Sequence, residues 1–269
     1  KKNKAIYLLF LMPFVYFATA CFVMWLVKTS GIYPSGSDTM YHVYRGDYVY
    51  NAIKSGNWYP LYDSAWYNGV EILRYWSPLP AYVMAFCQYL AGGSQFGAYL
   101  FYIGGVCFLG ACVWPFIGRG FNRPYLGAFI GLLWFFMPNN LCAIFIEGNL
   151  ARSLSMIFLP VFIYSVYKYL YNHKLRYIPL MVFTFLLMEL CHLGYAGMVA
   201  IAVIIYGIVY LIQKGRKKAV LDVVISMIFG FMLLGIWLVA SLRGGITSLD
   251  NSENMANFFQ NLWITINPF

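Results

Sequence analysis

Charge is what this chain has least of. Of its 269 residues only 10% are Asp, Glu, Lys or Arg and 62% are hydrophobic, where soluble domains carry roughly 25% charged residues. With a mean hydropathy of +0.67, this composition excludes an ordinary soluble globule and leaves an integral membrane protein. Histidine is scarcer still, with three residues. The six cysteines, Cys21, Cys87, Cys107, Cys112, Cys142 and Cys191, show no Cys-x-x-Cys pair or ligand spacing. They read as small apolar helix residues, not as a zinc site or a disulfide framework. The chain also lacks a phosphate-binding glycine loop, a dinucleotide fingerprint and a Ser-His-Asp nucleophile motif. Its basic-side loops are too short to build a nucleotide site, so a reaction donor has to be membrane-borne or reach the other face.

Acids are half as numerous as bases, 9 against 18. A net charge of +9 invokes nucleic acid in a soluble protein, but in a membrane protein the loops that hold the charge decide. The apolar runs are about 5–27, 78–91, 95–117, 125–141, 153–171, 178–192, 195–213 and 219–240. A spanning helix needs ~20 residues, so 78–91, which starts at Pro78-Leu79-Pro80 and ends at Gly92-Gly93, reads as an interfacial or re-entrant helix. The N-terminal Lys1-Lys2-Asn3-Lys4 and Ala5–Val27 resemble a signal peptide, yet the run is long enough to span and has no small-x-small cleavage site. It reads as a retained helix. The sequence begins without Met and stops at Asn267-Pro268-Phe269 in a polar segment, as expected of a piece of a longer protein.

Seven spans with the N-terminus inside put twelve of the eighteen bases on the cytoplasmic side, among them Arg119, Arg123, Lys168, Lys174, Arg176 and the Lys214–Lys218 cluster. An eighth span at 78–91 would turn Arg119/Arg123 and the Lys168–Arg176 cluster outside, against the positive-inside bias. Asp38, Asp47, Asp63, Glu71, Glu147, Asp250 and Glu253 then face outward, Glu189 lies near the outer end of its helix, and Asp222 is inside. The basic excess is topogenic, and nucleic acid is not an expected partner. The predicted architecture is an all-α integral membrane protein of about seven transmembrane helices. It has a long outer loop 28–94 containing juxtamembrane helices, a second outer loop 139–152, a membrane module over 1–240 and the start of an extracytoplasmic C-terminal region over 241–269.

The outer face holds the chemical inventory. Ser37-Asp38 precedes a run, Thr39 to Ser55, that reads as a helix stopped by Gly56. On it Asp38, His42 and Arg45 fall at i, i+4 and i+7 and share one face. Asp38 reads either as an N-cap accepting backbone N–H bonds or as a pre-positioned reactive carboxylate, and the two are compatible. Asp47 lies off that face, as a solvated or Arg-paired acid. The aromatic stretches Gly56–Tyr62, Trp66-Tyr67-Asn68-Gly69 and Arg74-Tyr75-Trp76-Ser77-Pro78 suit either a carbohydrate or isoprenoid headgroup site or an interfacial belt. In the second loop, Glu147 and Arg152 flank a Gly-Asn turn as a surface ion pair, or as an acid near the membrane that needs a cation, metal or substrate partner. Glu189 and His192, three apart, read as a hydrogen-bonded pair at the cavity floor. A di-metal site would need a second such pair, and none is present.

Several of these segments carry a resemblance. The first helix followed by Ser37-Asp38-Thr39-Met40-Tyr41-His42, then Ala52–Pro60, then Tyr75-Trp76-Ser77-Pro78-Leu79-Pro80, resembles the GT-C superfamily of polyprenyl-phosphate-dependent glycosyltransferases. More narrowly, the chain is similar to bacterial multi-spanning proteins labelled 6-pyruvoyl-tetrahydropterin synthase-related, although nothing in it resembles a soluble pterin enzyme. The resemblance implies a GT-C-like module in a bacterial plasma membrane, and an inverting transfer of sugar from a polyprenyl-phosphate donor to an extracytoplasmic glycan, lipid or protein. It implies Asp38 as general base or ligand and Glu147 as the second-loop acid. These two would hold a divalent cation, Mg or Mn, in a metal-dependent member. Arg45, Arg74 or Arg152 would hold a lipid phosphate, with His42, Trp76, Glu189 and His192 completing the substrate site. The second loop departs from the family in having one acid in Glu147-Gly148-Asn149 instead of a paired motif, which weighs against metal dependence. Two other classes fit the composition. A transporter or flippase of a lipid-linked glycan would show repeats with broken helices, and no internal repeat is visible; a non-catalytic envelope-assembly scaffold is the third.

Overall fold

The computed structural model describes residues 2–34, 36–66 and 69–243. Tyr67, Asn68 and residues 244–269, which hold Asp250, Glu253 and most of the expected C-terminal region, lie outside them. Among the described residues the chain is helical, with one isolated β-bridge between Asp63 and Val70. In order come α1 Lys2–Ser30, α2 Thr39–Lys54, α3 Ile72–Tyr75, α4 Leu79–Leu90, α5 Gln95–Gly120 and α6 Pro124–Leu133. There follow a 3₁₀ turn Trp134–Phe136, α7 Pro138–Leu141 and a π-turn Cys142–Ile146. The chain then continues as α8 Leu150–Asn172, α9 Tyr177–Cys191, α10 Leu193–Lys214, α11 Lys217–Leu233 and α12 Gly235–Arg243.

Five segments are long and apolar enough to cross a membrane: Phe10–Ser30, Gln95–Gly120, Pro124–Ile146, Leu150–Asn172 and Leu193–Lys214. The other two expected spans fall in α9 and α11, of 15 and 17 residues, below or at the edge of the usual ~17–25. Among the described residues, length and composition thus qualify five of the seven expected spans as crossings.

Local chemistry explains three departures from the expected layout. The fourth apolar run continues through Ile146 instead of ending near 141, which shrinks the second outer loop from 139–152 to Glu147–Asn149. Pro138 has no N–H for the Trp134 carbonyl one turn back, and the Asn140 Nδ2 donates to that carbonyl at 2.8 Å instead. Replacing Asn140 by Leu leaves that buried carbonyl unpaired, at a cost of about 1–3 kcal/mol. Thermal unfolding in detergent should show the loss, and an unchanged midpoint would remove the amide from the account of this bend.

The second departure is the 219–240 run, which is not one helix. It is interrupted at Leu234, and past that break the Trp237 indole N–H donates to the Leu73 carbonyl at 2.7 Å. The third concerns α4, read as an interfacial or re-entrant helix, which is packed between α2 and α5 with Ala81, Met84, Ala85 and Gln88 buried. There the Gln88 amide donates to the half-buried Asp47 at 2.6 Å, and no arginine pairs with it among the described residues.

The long helix α8 joins two cores. Its first half, through Leu150, Leu154 and Ile157, packs with α1, α4 and α5, and its second half, through Phe162, Val166 and Leu170, packs with α9, α10 and α11. A smaller core of Val49, Ile72, Leu73, Ala81 and Ala85 fastens α2, α3 and α4 together. The start of α8 and the α9–α10 junction are thereby set against the α2 face.

Candidate functional site

A cavity of about 400 Å³ opens at that junction. It is lined by Asp38, Tyr41, His42 and Arg45 from α2, Trp76 and Ser77 ahead of α4, Asn149 and Ala151 at the start of α8, Cys191 to Gly194, and Trp237. The i, i+4, i+7 face read from the sequence is therefore one wall, running from exposed Asp38 through buried His42 to Arg45 at 1% exposure.

Asp38 stands at the N-cap position of α2 but does not cap it. Its backbone is in the helical region (φ −104°, ψ −5°) and its side chain takes no backbone N–H, whereas a capping residue sits in the β-region. The Ser37 Oγ lies 3.2 Å from its carboxylate and shares its one hydrogen between that carboxylate and the Glu147 carbonyl; the carboxylate otherwise faces the cavity. The Asp38 N–H and the Ser37 hydroxyl both donate to the Glu147 carbonyl, each at 3.1 Å, and so clamp α2 to the short second loop. That approach requires glycine on both sides. A Cβ on Gly36 would lie 2.5 Å from the Gly148 Cα, and one on Gly148 (φ +68°) would lie 2.2 Å from Thr39 Oγ1. Gly148→Ala should cost about 1–3 kcal/mol for the left-handed backbone alone and pull Asp38 away from Asn149. A wild-type melting temperature in Gly148→Ala would show that the contact is slack.

Arg45 is a buried cation without a counter-charge. One Nη reaches the carbonyls of Ile72 and Trp76 at 3.5 and 3.4 Å, both long for hydrogen bonds. Its Nε has no partner, and no carboxylate pairs with it among the described residues. The guanidinium rests against the rings of Tyr41 and Trp76 at 5.4 and 5.5 Å. Cation–π contact offsets part of the desolvation cost, but a charge this buried normally carries a partner.

His42, one turn away, is neutral. Burial, then the Arg45 charge, then His192 pull its pKa from 6.5 down to about 3. The sign of the stability effect follows. The unfolded chain binds a proton on His42 below pH 6.5 and the folded chain does not until about pH 3, so this stability is present above pH 6.5 and lost as pH falls through that window. Thermal scans should show a melting temperature that drops below pH 6.5, with a shallower drop in His42→Phe. Equal slopes in the two proteins would mean that another group sets the acid limit.

On the opposite wall, His192 ends α9 and caps α10. Its Nδ1 accepts the Tyr195 N–H at 3.0 Å, so in the neutral ring Nε2 carries the hydrogen. The 3.4 Å approach of the Asn149 amide nitrogen to Nε2 then joins two donors and is not a hydrogen bond. The Asn149 carbonyl oxygen is itself taken by the Arg152 N–H at 2.9 Å. Burial holds the His192 pKa below its ordinary value, with Asp38 acting in the other direction. The cavity thus presents one carboxylate, one guanidinium and two neutral imidazoles, with the His192 Nε2–H left for an incoming acceptor.

Four residues singled out in the sequence lie elsewhere. Glu147 pairs with Arg152 at 2.7 Å and accepts from the Cys142 thiol at 3.3 Å, and Arg152 holds its carboxyl below the ordinary range. Arg74 pairs with Glu71. Glu189 is buried on α9, and its Oε2 has no hydrogen-bond partner. It makes no bond to His192, so the expected pair is not formed: the His192 ring is turned to α10 by its capping role. A divalent cation does not fit what is present. The Glu147 carboxylate is committed to Arg152, and among the described residues no group of three or more His, Cys, Asp or Glu side chains converges.

The cavity also contains residues that the sequence reading passed over, Tyr41, Ser77, Asn149 and Trp237. Tyr41 could have been found, since it stands three residues after Asp38 and four before Arg45, on the same side of α2. Trp237 could not, because its place depends on the turn at Leu234.

A family model described as a 6-pyruvoyl-tetrahydropterin synthase related domain, membrane protein, matches residues 73–269. The match takes in Trp76, Asn149, His192 and Trp237 and leaves α2 outside. No curated protein and no solved structure matches the chain.

Proposed function

The chain belongs to the 6-pyruvoyl-tetrahydropterin synthase related family of membrane proteins, and from that premise we propose that it is a glycosyltransferase. In this reading it moves a sugar from a polyprenyl-phosphate carrier to an acceptor outside a bacterial plasma membrane. The chain crosses the membrane seven times with its N-terminus in the cytoplasm, α9 and α11 being the short crossings, and the cavity faces outward.

One observation carries this reading: along a single helix face, a water-facing carboxylate is followed by a neutral imidazole and then by a buried, unpaired guanidinium. Seven residues at 1.5 Å rise separate Asp38 from Arg45 by about 10 Å, room for a sugar ring between an acceptor hydroxyl and a phosphate. The acceptor O–H gives its proton to the Asp38 carboxylate as its oxygen attacks the sugar C1. The C1–O bond to the lipid phosphate breaks, the electron pair stays on the phosphate oxygen, and Arg45 stabilises the charge that develops there. Attack opposite the leaving phosphate inverts the anomeric centre. The Trp76 and Tyr41 rings offer apolar faces to the sugar, and the His192 Nε2–H is placed to donate to one of its hydroxyls. No step runs through a metal.

The test is proteoliposomes loaded with polyprenyl-phosphate sugars and a glycan acceptor, with the anomeric configuration of the product read by NMR. The expected product is inverted at C1. A retained configuration would contradict direct attack, and movement of the intact carrier across the bilayer without transfer would favour the transport reading.

A further inference from the structure

At the other end of α8 the bundle carries a second built feature. An apolar groove of about 480 Å³ lies between α5, the Trp134–Asn140 bend, α8 and the start of α10, with Trp114, Phe121, Leu159, Pro160 and Ile163 among its walls. It follows α8 from Met156 to Tyr167, eleven residues or about 16 Å, close to one leaflet's share of a ~30 Å hydrocarbon core. Phe121, Ile163 and Tyr167 are exposed, so the groove opens sideways, where a membrane would lie.

Two cations stand at the end farther from the cavity. Lys168 Nζ is 4.4 Å from the Phe121 ring centre and 5.6 Å from that of Tyr164, both groove residues. Arg176 lies 5.0 Å over Tyr177, whose ring is 6.1 Å from Tyr164. Neither cation has a carboxylate partner among the described residues. Asp222 at this end accepts the Tyr169 hydroxyl at 2.5 Å, and Lys168 donates to the Gly120 carbonyl at 2.6 Å, which leaves its other N–H groups available.

We propose that this groove holds one acyl chain of an anionic phospholipid, with the lipid phosphate between Lys168 and Arg176. The apolar trough fits the chain, and two cations without acids select a head whose net charge is negative. A choline or ethanolamine head would set its ammonium against them. The site is separate from the cavity: Ala151 lines the cavity, and Lys168 lies about 25 Å further along α8 at its 1.5 Å rise. It does not depend on sugar transfer.

The test uses the full chain, delipidated in mild detergent and examined by native mass spectrometry with phosphatidylglycerol and phosphatidylcholine of matched chains. The wild type should prefer phosphatidylglycerol by roughly tenfold or more, the effect of two basic residues beside an anionic head. Lys168→Gln with Arg176→Gln should abolish the preference while keeping chain binding, and Leu159→Trp, which fills the trough, should weaken both lipids. Equal binding of the two lipids by the wild type, or a preference surviving in the double variant, would overturn the proposal. So would inorganic phosphate displacing phosphatidylglycerol at matched concentration, since the groove would then contribute nothing. Displacement by a polyprenyl phosphate in a Lys168-dependent manner would overturn it as well, by giving the groove to the donor's tail.

Discussion

Replacing Arg45 by Gln weakens binding of a polyprenyl-phosphate donor by about two to three orders of magnitude, the loss of ~3–4 kcal/mol expected when a buried, hydrogen-bonded charge pair loses one member. The same substitution leaves the fold as stable as before or more so. Arg45 is 1% exposed with an unpartnered Nε and only long contacts to carbonyls. Its burial therefore costs the folded protein, and a neutral side chain of similar length removes that cost. The opposite signs separate two roles. An Arg45 that merely braces Tyr41 and Trp76 would lower the melting temperature when removed and leave donor affinity alone. Donor titration and thermal unfolding of one Arg45→Gln preparation decide between them, and Arg45→Lys should recover part of the affinity as a point charge without the planar fork.

Asp38→Asn gives the second large effect. Because Asp38 makes no capping bond, the amide is not expected to disturb α2, and the clamp to the Glu147 carbonyl uses the Asp38 main chain and the Ser37 hydroxyl. What is lost is the proton acceptor, worth about 10²–10⁴ in rate for a positioned general base. Turnover should fall by that factor with donor affinity retained. Were Asp38 a cap, the same variant would instead cost stability and spare the rate.

The helix-face spacing of Asp38, His42 and Arg45 was legible because it is a local property of one helix, and periodicity reports it directly. The α2 boundaries, the short α4 and the helicity of α1 followed from the same local signals. The far wall was legible in part. His192 was read into the cavity from its spacing to Glu189, but the pair does not form, because His192 ends one helix and caps the next and turns its ring to α10. The Asn140 amide that carries the chain past Pro138 replaced an expected loop by a helical bend. Trp237 depends on a turn at Leu234, within a run whose hydropathy alone reads as one span. Pairing of the arginines was legible for Arg152, read with Glu147 as an ion pair, but not for Arg74: both are as suited to phosphate as Arg45 by residue type, but each has an acid within reach in the fold. Burial without a counter-charge, which distinguishes Arg45, is a tertiary property.

The most direct measurement compares the wild type, Asp38→Asn and Arg45→Gln in one set of proteoliposomes, reading donor binding and sugar transfer together. The expected result is binding and transfer in the wild type, binding without transfer in Asp38→Asn, and neither in Arg45→Gln. Full-rate transfer by Asp38→Asn, or a wild type that binds no polyprenyl-phosphate sugar, would contradict a site in which Asp38 takes the proton and Arg45 holds the phosphate.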